Sequence, residues 1–493
     1  MTALLSANLP ALQVVLPMLV AALIVFIRVP RLAWGIATLA CIGSFVIACA
    51  LLGQVLTGGT ISYAMGGWEP PFGIVYVVDS LAAFMLVLVT GIAAVVMPYA
   101  RLSVAADIAE DRLHLFYALF LLCLTGLLGI VITGDAFNVF VFLEISSLSS
   151  YAIIAMGRDR RALTAAFQYL VLGTIGGTFL LIGIGLLYVM TGTLNMSDLA
   201  ARLPFVSDSR TVSAALAFVA VGLSIKAAVF PLHQWLPNAY TFAPNMVTAF
   251  LAATATKVAG YAVIRFLFTV FGQEYAETMP VGEIAQLLAV TAMIVASLVA
   301  IFQTNLKRLL AWSSIAQIGY IVLGISMATV WGLKAALLHM LNHGVIKASL
   351  FMAVGAIAYR IGSVTLDDWA GIGRRMPWTM AAFVAGGLAL IGVPLTAGFV
   401  SKWALLEAAL HRDSGYLAIA ILISSLLAVI YIWRIVETAY FRPPPTDAPP
   451  VSEAPLWLMA PTWTLILVNF WLGMSSSFPA RVATQAAQDL LAR

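Results

Sequence analysis

Apolar stretches of roughly 20 residues recur along the whole chain, each closed by a short break rich in polar residues, Gly or Pro. That is the length a helix needs to cross the hydrocarbon core of a bilayer. The pattern predicts fourteen spans, near 9–27, 32–56, 74–97, 113–133, 136–156, 165–190, 211–232, 244–271, 281–303, 308–328, 331–358, 378–411, 416–436 and 456–477. The fold expected is therefore all-α, a polytopic membrane bundle with no room for a large soluble domain. The first span is not expected to be a cleaved signal, because MTALLSANLP lacks a basic leader and the apolar run outlasts one.

Composition sharpens this reading. Of 493 residues, 62% are hydrophobic and 9% charged, against about 25% charged in ordinary soluble proteins. A formal net charge of +4, scattered along the chain, gives no basis for nucleic-acid binding. Cys41, Cys49 and Cys123 fall in apolar segments without CxxC spacing, so they read as buried bystanders, not as a disulfide, cluster or zinc site. The placement of charge carries more than its sum. Arg28, Arg31, Arg101, Arg112, Arg158, Arg160, Arg161, Lys307, Arg308, Arg360, Arg374, Arg375, Arg434 and Arg442 would share one side of the membrane. Only Arg202, Arg210, Lys334, Arg412, Arg481 and Arg493 would lie opposite, beside the acidic Glu274, Glu277 and Glu283. Cytoplasmic loops are the richer in Lys and Arg, so both termini are expected outside.

Lys226, Lys257, Arg265, Lys347 and Lys402 have no loop to occupy. A lysine at mid-bilayer costs about 2.5–3.5 kcal/mol on insertion scales, so neighbours must solvate these groups. Arg265 is near enough to a span end to act as a snorkelling anchor or packing residue. Glu144, an isolated carboxylate followed by the serines of ISSLSSY, needs a cationic partner. Such a pair either fixes one helix against another or exchanges protons as its separation changes. His339, His343 and Lys347 stand at i, i+4 and i+8 on one helix face. They read as a titratable stripe or as satisfied core residues; a zinc site lacks the Glu of HExxH and further ligands. Pro231 and Pro394 fall beside Lys226 and Lys402, and helix breaks at corresponding places in two halves point to a transport pathway or to packing kinks. Gly173, Gly176 and Gly177 sit inside a span and read as close helix packing. Asp79 and Glu407, in or near spans, are candidates for guarding entrances.

The segments FPLHQWLPNAYTFAPNMVTAFLAATATKVAGYAVIRF (230–266), GDAFNVFVFLEISSLSSY (134–151), KRLLAWSSIAQIGY (307–320) and HMLNHGVIKASLF (339–351) resemble the antiporter-like proton-translocating subunits of respiratory complex I, membrane-bound hydrogenases and Mrp-type cation/proton antiporters. The resemblance covers nearly the whole chain. With GGWEPPFGIVYVVDSLAAFMLV (66–87), TGTLNMSDLA (191–200) and its compact length, the sequence is most similar to the D-type members of Mrp antiporters.

The resemblance implies two inverted five-helix repeats, with the seventh and twelfth spans broken at Pro231 and Pro394. The units would be 1–112, a three-span segment; 113–271, the first repeat; 281–440, the second; and 441–493, a loop and the final span. It also implies roles. Glu144 would modulate Lys226, Lys257 would pass protons along the midplane, His339 and His343 would connect to the second half, and Lys402 would serve the exit. Lys347 would either titrate or support its helix. Asn238 stands where several relatives carry an acid. The implied function is the proton-conducting subunit of a multisubunit Na+/H+ antiporter in a bacterial inner membrane, with other membrane subunits as partners and H+ and Na+ as ions. The alternative is a pump subunit of complex I or a hydrogenase. No motif for NADH, flavin, iron–sulfur cluster or quinone occurs, so no cofactor or metal is expected on this chain. A scaffold with merely structural buried charges and a self-sufficient carrier are further readings.

Overall fold

The computed structural model describes residues 6–273, 281–444 and 450–492; Glu274, Glu277 and Arg493 lie outside these. Among the described residues, thirteen helices are long and apolar enough to cross a membrane. The chain is a multi-pass membrane protein.

Helices α1 (Leu9–Phe26) and α2 (Pro30–Gly58) lead into a short antiparallel hairpin of β1 (Ile61–Ala64) and β2 (Val75–Val78), with Ala64 opposite Val75. The predicted third span thus begins late. Residues 75–78 are strand because their β-branched run pairs with Ile61–Ala64 and bridges Thr133 through Tyr76. Helix α3 (Ser80–Asp107) then starts on the Asp79 side chain, which accepts from Ala82 N, and runs past its predicted end. It absorbs Arg101, expected in a loop; that guanidinium instead lies over Trp34 and Trp457.

Helices α4 (Leu113–Ile132), α5 (Ala136–Ala155) and α6 (Arg161–Thr191) follow, then α7 (Arg210–Ala227). Helix α7 stops where Ala228 adopts φ +55°, with Ala228 N bonded to Ile225 O and Val229 N to Ser224 O. The chain resumes as α8 (Trp235–Phe242), α9 (Asn245–Ala253) and α10 (Ala255–Ile264), which continues as a π-helical turn, Arg265–Val270.

The second half opens with α11 (Val281–Ile301), α12 (Leu306–Ser326) and α13 (Val330–Ile361). Its predicted long span, 378–411, is two helices, α14 (Pro377–Ile391) and α15 (Ala397–His411). They are separated by Gly392 at φ +94°, whose N bonds Ala389 O, while Val393 N bonds Leu388 O. Helices α16 (Gly415–Phe441) and α17 (Leu456–Met474) complete the bundle. Beyond the fourteenth predicted span lies an unforeseen α18 (Ser477–Leu491), amphipathic, with Val482, Ala483, Ala486 and Leu490 buried. Its apolar positions are too few and too interleaved with polar ones to read as a span.

Helix α13 is the hub, packed against α9, α12, α14, α15, α17 and α18. The two halves also share main-chain bonds. Ala136 N donates to Leu194 O and Met196 N to Gly134 O; at one constant offset along the chain, Leu306 N donates to Val364 O and Leu366 N to Thr304 O.

Candidate functional site

The residues singled out in the sequence divide into two groups, one in each half. In the first, Lys226 occupies the last turn of α7, where a cation is favoured by the carbonyl end of the helix. Its Nζ donates to Glu144 Oε1 at 3.2 Å and to Ser147 Oγ at 2.8 Å. Glu144 is reached because α6 passes close by: a methyl group on Gly177 would collide with Glu144 Oε1, and one on Gly176 would press on Gly222 O and Ile225. The glycines thus act as close packing, and one of them makes room for the carboxylate. A cavity of about 30 Å³ joins Lys226, Ser146, Ser147, Ser150 and Tyr169 to Ala255 and Ala259 on α10. It is large enough for one water molecule.

Lys257 lies in the first turn of α10. It is completely buried, and its Nζ donates to Ala252 O, at the carbonyl end of α9, at 2.5 Å, with Thr256 Oγ1 at 3.4 Å. Toward the other end of the same helix, Arg265 is not a snorkelling anchor. It is buried, with its guanidinium paired to both carboxylate oxygens of Asp79, and Nε donating to Tyr261 Oη at 2.7 Å. The reason is local: the carboxylate that starts α3 lies inside the bundle, so the charge finds its partner there and has no need to reach for the surface.

The second half holds a longer network. His339 Nε2 lies 3.0 Å from Gln317 Oε1 and Nδ1 lies 3.0 Å from Ser401 Oγ. His343 stacks one turn along, ring centroids 5.8 Å apart, and neither of its nitrogens has a protein partner among the described residues although the side chain is buried. Lys347 Nζ donates to Leu310 O at 2.8 Å and Ser313 Oγ at 2.5 Å. Lys402, on α15, reaches back across the interruption to donate to Leu390 O and Ile391 O at 3.0 and 2.9 Å, and to Ser425 Oγ at 3.1 Å. Ser425 Oγ is 3.2 Å from Tyr320 Oη, whose ring lies under the Lys402 ammonium and beside His339. Lys402, Ser425, Tyr320, His339 and Ser401 thus form one connected cluster.

Two expectations need correction. Lys307, assigned to a loop, is buried in the first turn of α12 and donates to Ala243 O at 2.5 Å. Cys49 is exposed, not buried. Glu407 accepts from the indole of Trp403, one turn earlier on α15, at 2.7 Å. Asn238, at the position expected to be acidic in several relatives, donates to Gln168 Oε1 at 2.7 Å. The serine run after Glu144 supplies Ser147; residues missed from sequence are the other hydroxyls and the amide that hold the ammonium and imidazole groups: Ser313, Gln317, Tyr320, Ser401 and Ser425. Most lie within the recognised segments, but nothing in their spacing separates them from neighbouring serines. Among the described residues, no group of three or more His, Cys, Asp or Glu is arranged to hold a metal.

Against this geometry, residues 133–428 match the family model described as NADH:quinone oxidoreductase/Mrp antiporter, TM. The N subunit of NADH-quinone oxidoreductase from Desulforudis audaxviator is 43% identical over 442 residues, 89% of this chain and 87% of that protein. The D subunit of the Na(+)/H(+) antiporter from Alkalihalophilus pseudofirmus is 29% identical over 435 residues, 88% and 87% of the two. A chain in the solved Mrp complex from Dietzia sp. DQ12-45-1b superposes with a TM-score of 0.91 at 28% identity, covering 99% of this chain and 98% of that one.

Proposed function

Because the chain belongs to the NADH:quinone oxidoreductase/Mrp antiporter transmembrane family, we propose that it is the proton-conducting subunit of a multisubunit Na+/H+ antiporter, working beside other membrane subunits in a bacterial inner membrane. Proton flow down its gradient drives Na+ outward. The observation that carries this reading is the Lys226 ammonium held jointly by Glu144 and Ser147 in the last turn of α7. Separating such a pair changes the proton affinity of both members, which makes it a loading point for a proton.

From there Lys257 passes the proton along the midplane to His343 and His339, and Lys402 serves the exit at the second interruption. Lys347 borders this route on the His343 face. Pro231 and Pro394 mark the two breaks. The repeat reading, 113–271 against 281–440, draws support from the matched main-chain bonds: Ala228/Ile225 and Val229/Ser224 in one half, Gly392/Ala389 and Val393/Leu388 in the other. Both termini are assigned to the outer side, in keeping with the excess of Arg and Lys on the opposite connections.

The test is exchange in vesicles holding the complete complex. Glu144→Ala or Lys226→Ala abolishes ΔpH-driven Na+/H+ exchange while assembly persists; wild-type exchange in either variant removes the assigned role. A second reading, the same route coupled to a redox reaction in partner subunits, is favoured by the 43% identity to a protein named as an NADH-quinone oxidoreductase subunit. Isolating the native complex separates the two: antiporter subunits alone support the first, whereas polypeptides of a dehydrogenase or hydrogenase support the second.

A further inference from the structure

Helix α9 is short, buried along its length, and bounded by Pro244 at one end and the irregular Thr254 at the other. Both of its ends are held by ionisable side chains from outside it. At the start, the helix has no capping side chain of its own; Asn245 N donates instead to Asp107 Oδ2 at 2.8 Å, and Asn245 Nδ2 to the same oxygen at 3.1 Å. At the finish, Ala252 O accepts from Lys257 Nζ, and Leu251 O from Tyr240 Oη. A carboxylate at the amino end and an ammonium at the carbonyl end both match the helix dipole.

Asp107 is half-buried in the wall of a polar cavity of about 410 Å³ that also takes in Arg158, Asp159, Arg161, Asn245 and Lys307. Arg158, Asp159 and Arg161 are exposed, so the cavity meets water. Lys307 from α12 and Arg158 from the turn after α5 lie within electrostatic reach of Asp107, Asp159 faces Lys307, and Tyr99 of α3 and Tyr359 of α13 are the remaining titratable neighbours.

We propose that Asp107 is a positioning residue for Lys257, acting through α9, so that the charge in the water-facing cavity sets how Ala252 O holds the lysine ammonium. A packed helix of this length moves as a unit, since close-packed neighbours leave it discrete positions and not a continuum. When Asp107 takes up a proton its oxygen accepts less strongly from Asn245 N, the cap loosens, and the carbonyl end shifts against Lys257. The inference rests on the assignment of Lys257 to the proton route.

The experiment uses the complete complex in proteoliposomes, with Na+/H+ exchange measured as the pH is varied only on the side to which the cavity opens. Asp107→Asn is expected to lower exchange about tenfold and to flatten its dependence on that pH, whereas Asp107→Glu restores most of the rate and the slope. Lys307→Met, which removes the facing ammonium and leaves Asp107 and Lys257 intact, is expected to move the profile along the pH axis, and it decides the matter should Asp107→Asn fail to assemble. An Asp107→Asn complex with the wild-type profile overturns the proposal. So does a uniform loss at every pH, the mark of a purely structural cap, and so does an unmoved profile in Lys307→Met. Glu144→Gln is assayed alongside: if it too exchanges at the wild-type rate, the route itself is wrong; if it is dead while the Asp107 and Lys307 variants behave as wild type, only the link through α9 falls.

Discussion

Five lysines, Lys226, Lys257, Lys307, Lys347 and Lys402, are buried in this bundle, and among the described residues only Lys226 is held by a carboxylate. The others rest on main-chain carbonyls at helix ends or beside serine hydroxyls, the groups best able to solvate an ammonium without neutralising it. That difference is chemically useful. A lysine paired with a carboxylate keeps its proton until the pair separates, whereas one held by neutral dipoles releases it at smaller cost when the surroundings change. The Glu144–Lys226 contact depends on the bare Cα of Gly177, so Gly177→Val is expected to displace the carboxylate and stop exchange much as Glu144→Ala does, with the complex still assembled; vesicle exchange measures this. Asp79 and Arg265 form the contrasting case, a buried pair of fixed geometry. Asp79→Asn alone is expected to destabilise the protein by about 3–5 kcal/mol, and Asp79→Leu with Arg265→Met to recover most of that loss. Thermal unfolding in detergent reads both.

At the scale of elements, what the sequence made legible was length and polarity. The apolar runs marked the spans, while Pro231 and Pro394 drew attention to places near which α7 and α14 end, at Ala227 and Ile391. Proline removes one donor, and the chain uses the residues before it to close the helix with a left-handed residue. The strand Val75–Val78 was hidden because four β-branched and aromatic residues before a long apolar run look like the start of a span until their pairing partner is known. Lys307 and Arg101 were misplaced for a related reason: a basic residue at the edge of a span is indistinguishable from a loop residue until the neighbouring carbonyls or rings are seen. At the second interruption, Gly392 sits at φ +94° with the Lys402 chain against it. Gly392→Ala is expected to cost about 1–2 kcal/mol of backbone strain and to push Lys402 off Leu390 O and Ile391 O, lowering exchange more than the melting temperature; parallel transport and melting assays on one preparation separate these effects.

For the whole molecule, the question is how two half-networks communicate. Lys226 and Lys257 belong to the first half, and His339, Tyr320, Ser425 and Lys402 to the second. Between them stands His343, buried, with both ring nitrogens lacking a protein partner among the described residues. A buried polar ring calls for a hydrogen-bond partner, and on the proposed route His343 is the group that joins Lys257 to His339. His343→Leu is accordingly expected to reduce exchange by at least about tenfold while leaving the Lys402 cluster intact, with transport rate as the readout. The membrane fold and the positions of the buried ionisable groups were readable in one sequence because charges at membrane depth are rare. The join between the halves was not, because it depends on which neutral groups surround a histidine.

The central claim is that the buried charges carry protons and do not merely fasten helices. Replacing both members of the first pair, Glu144→Gln with Lys226→Met, removes the charges while keeping the volume, so a structural pair tolerates the change. In vesicles of the intact complex the account predicts normal assembly and no ΔpH-driven exchange; exchange at the wild-type rate in the doubly substituted protein would contradict it.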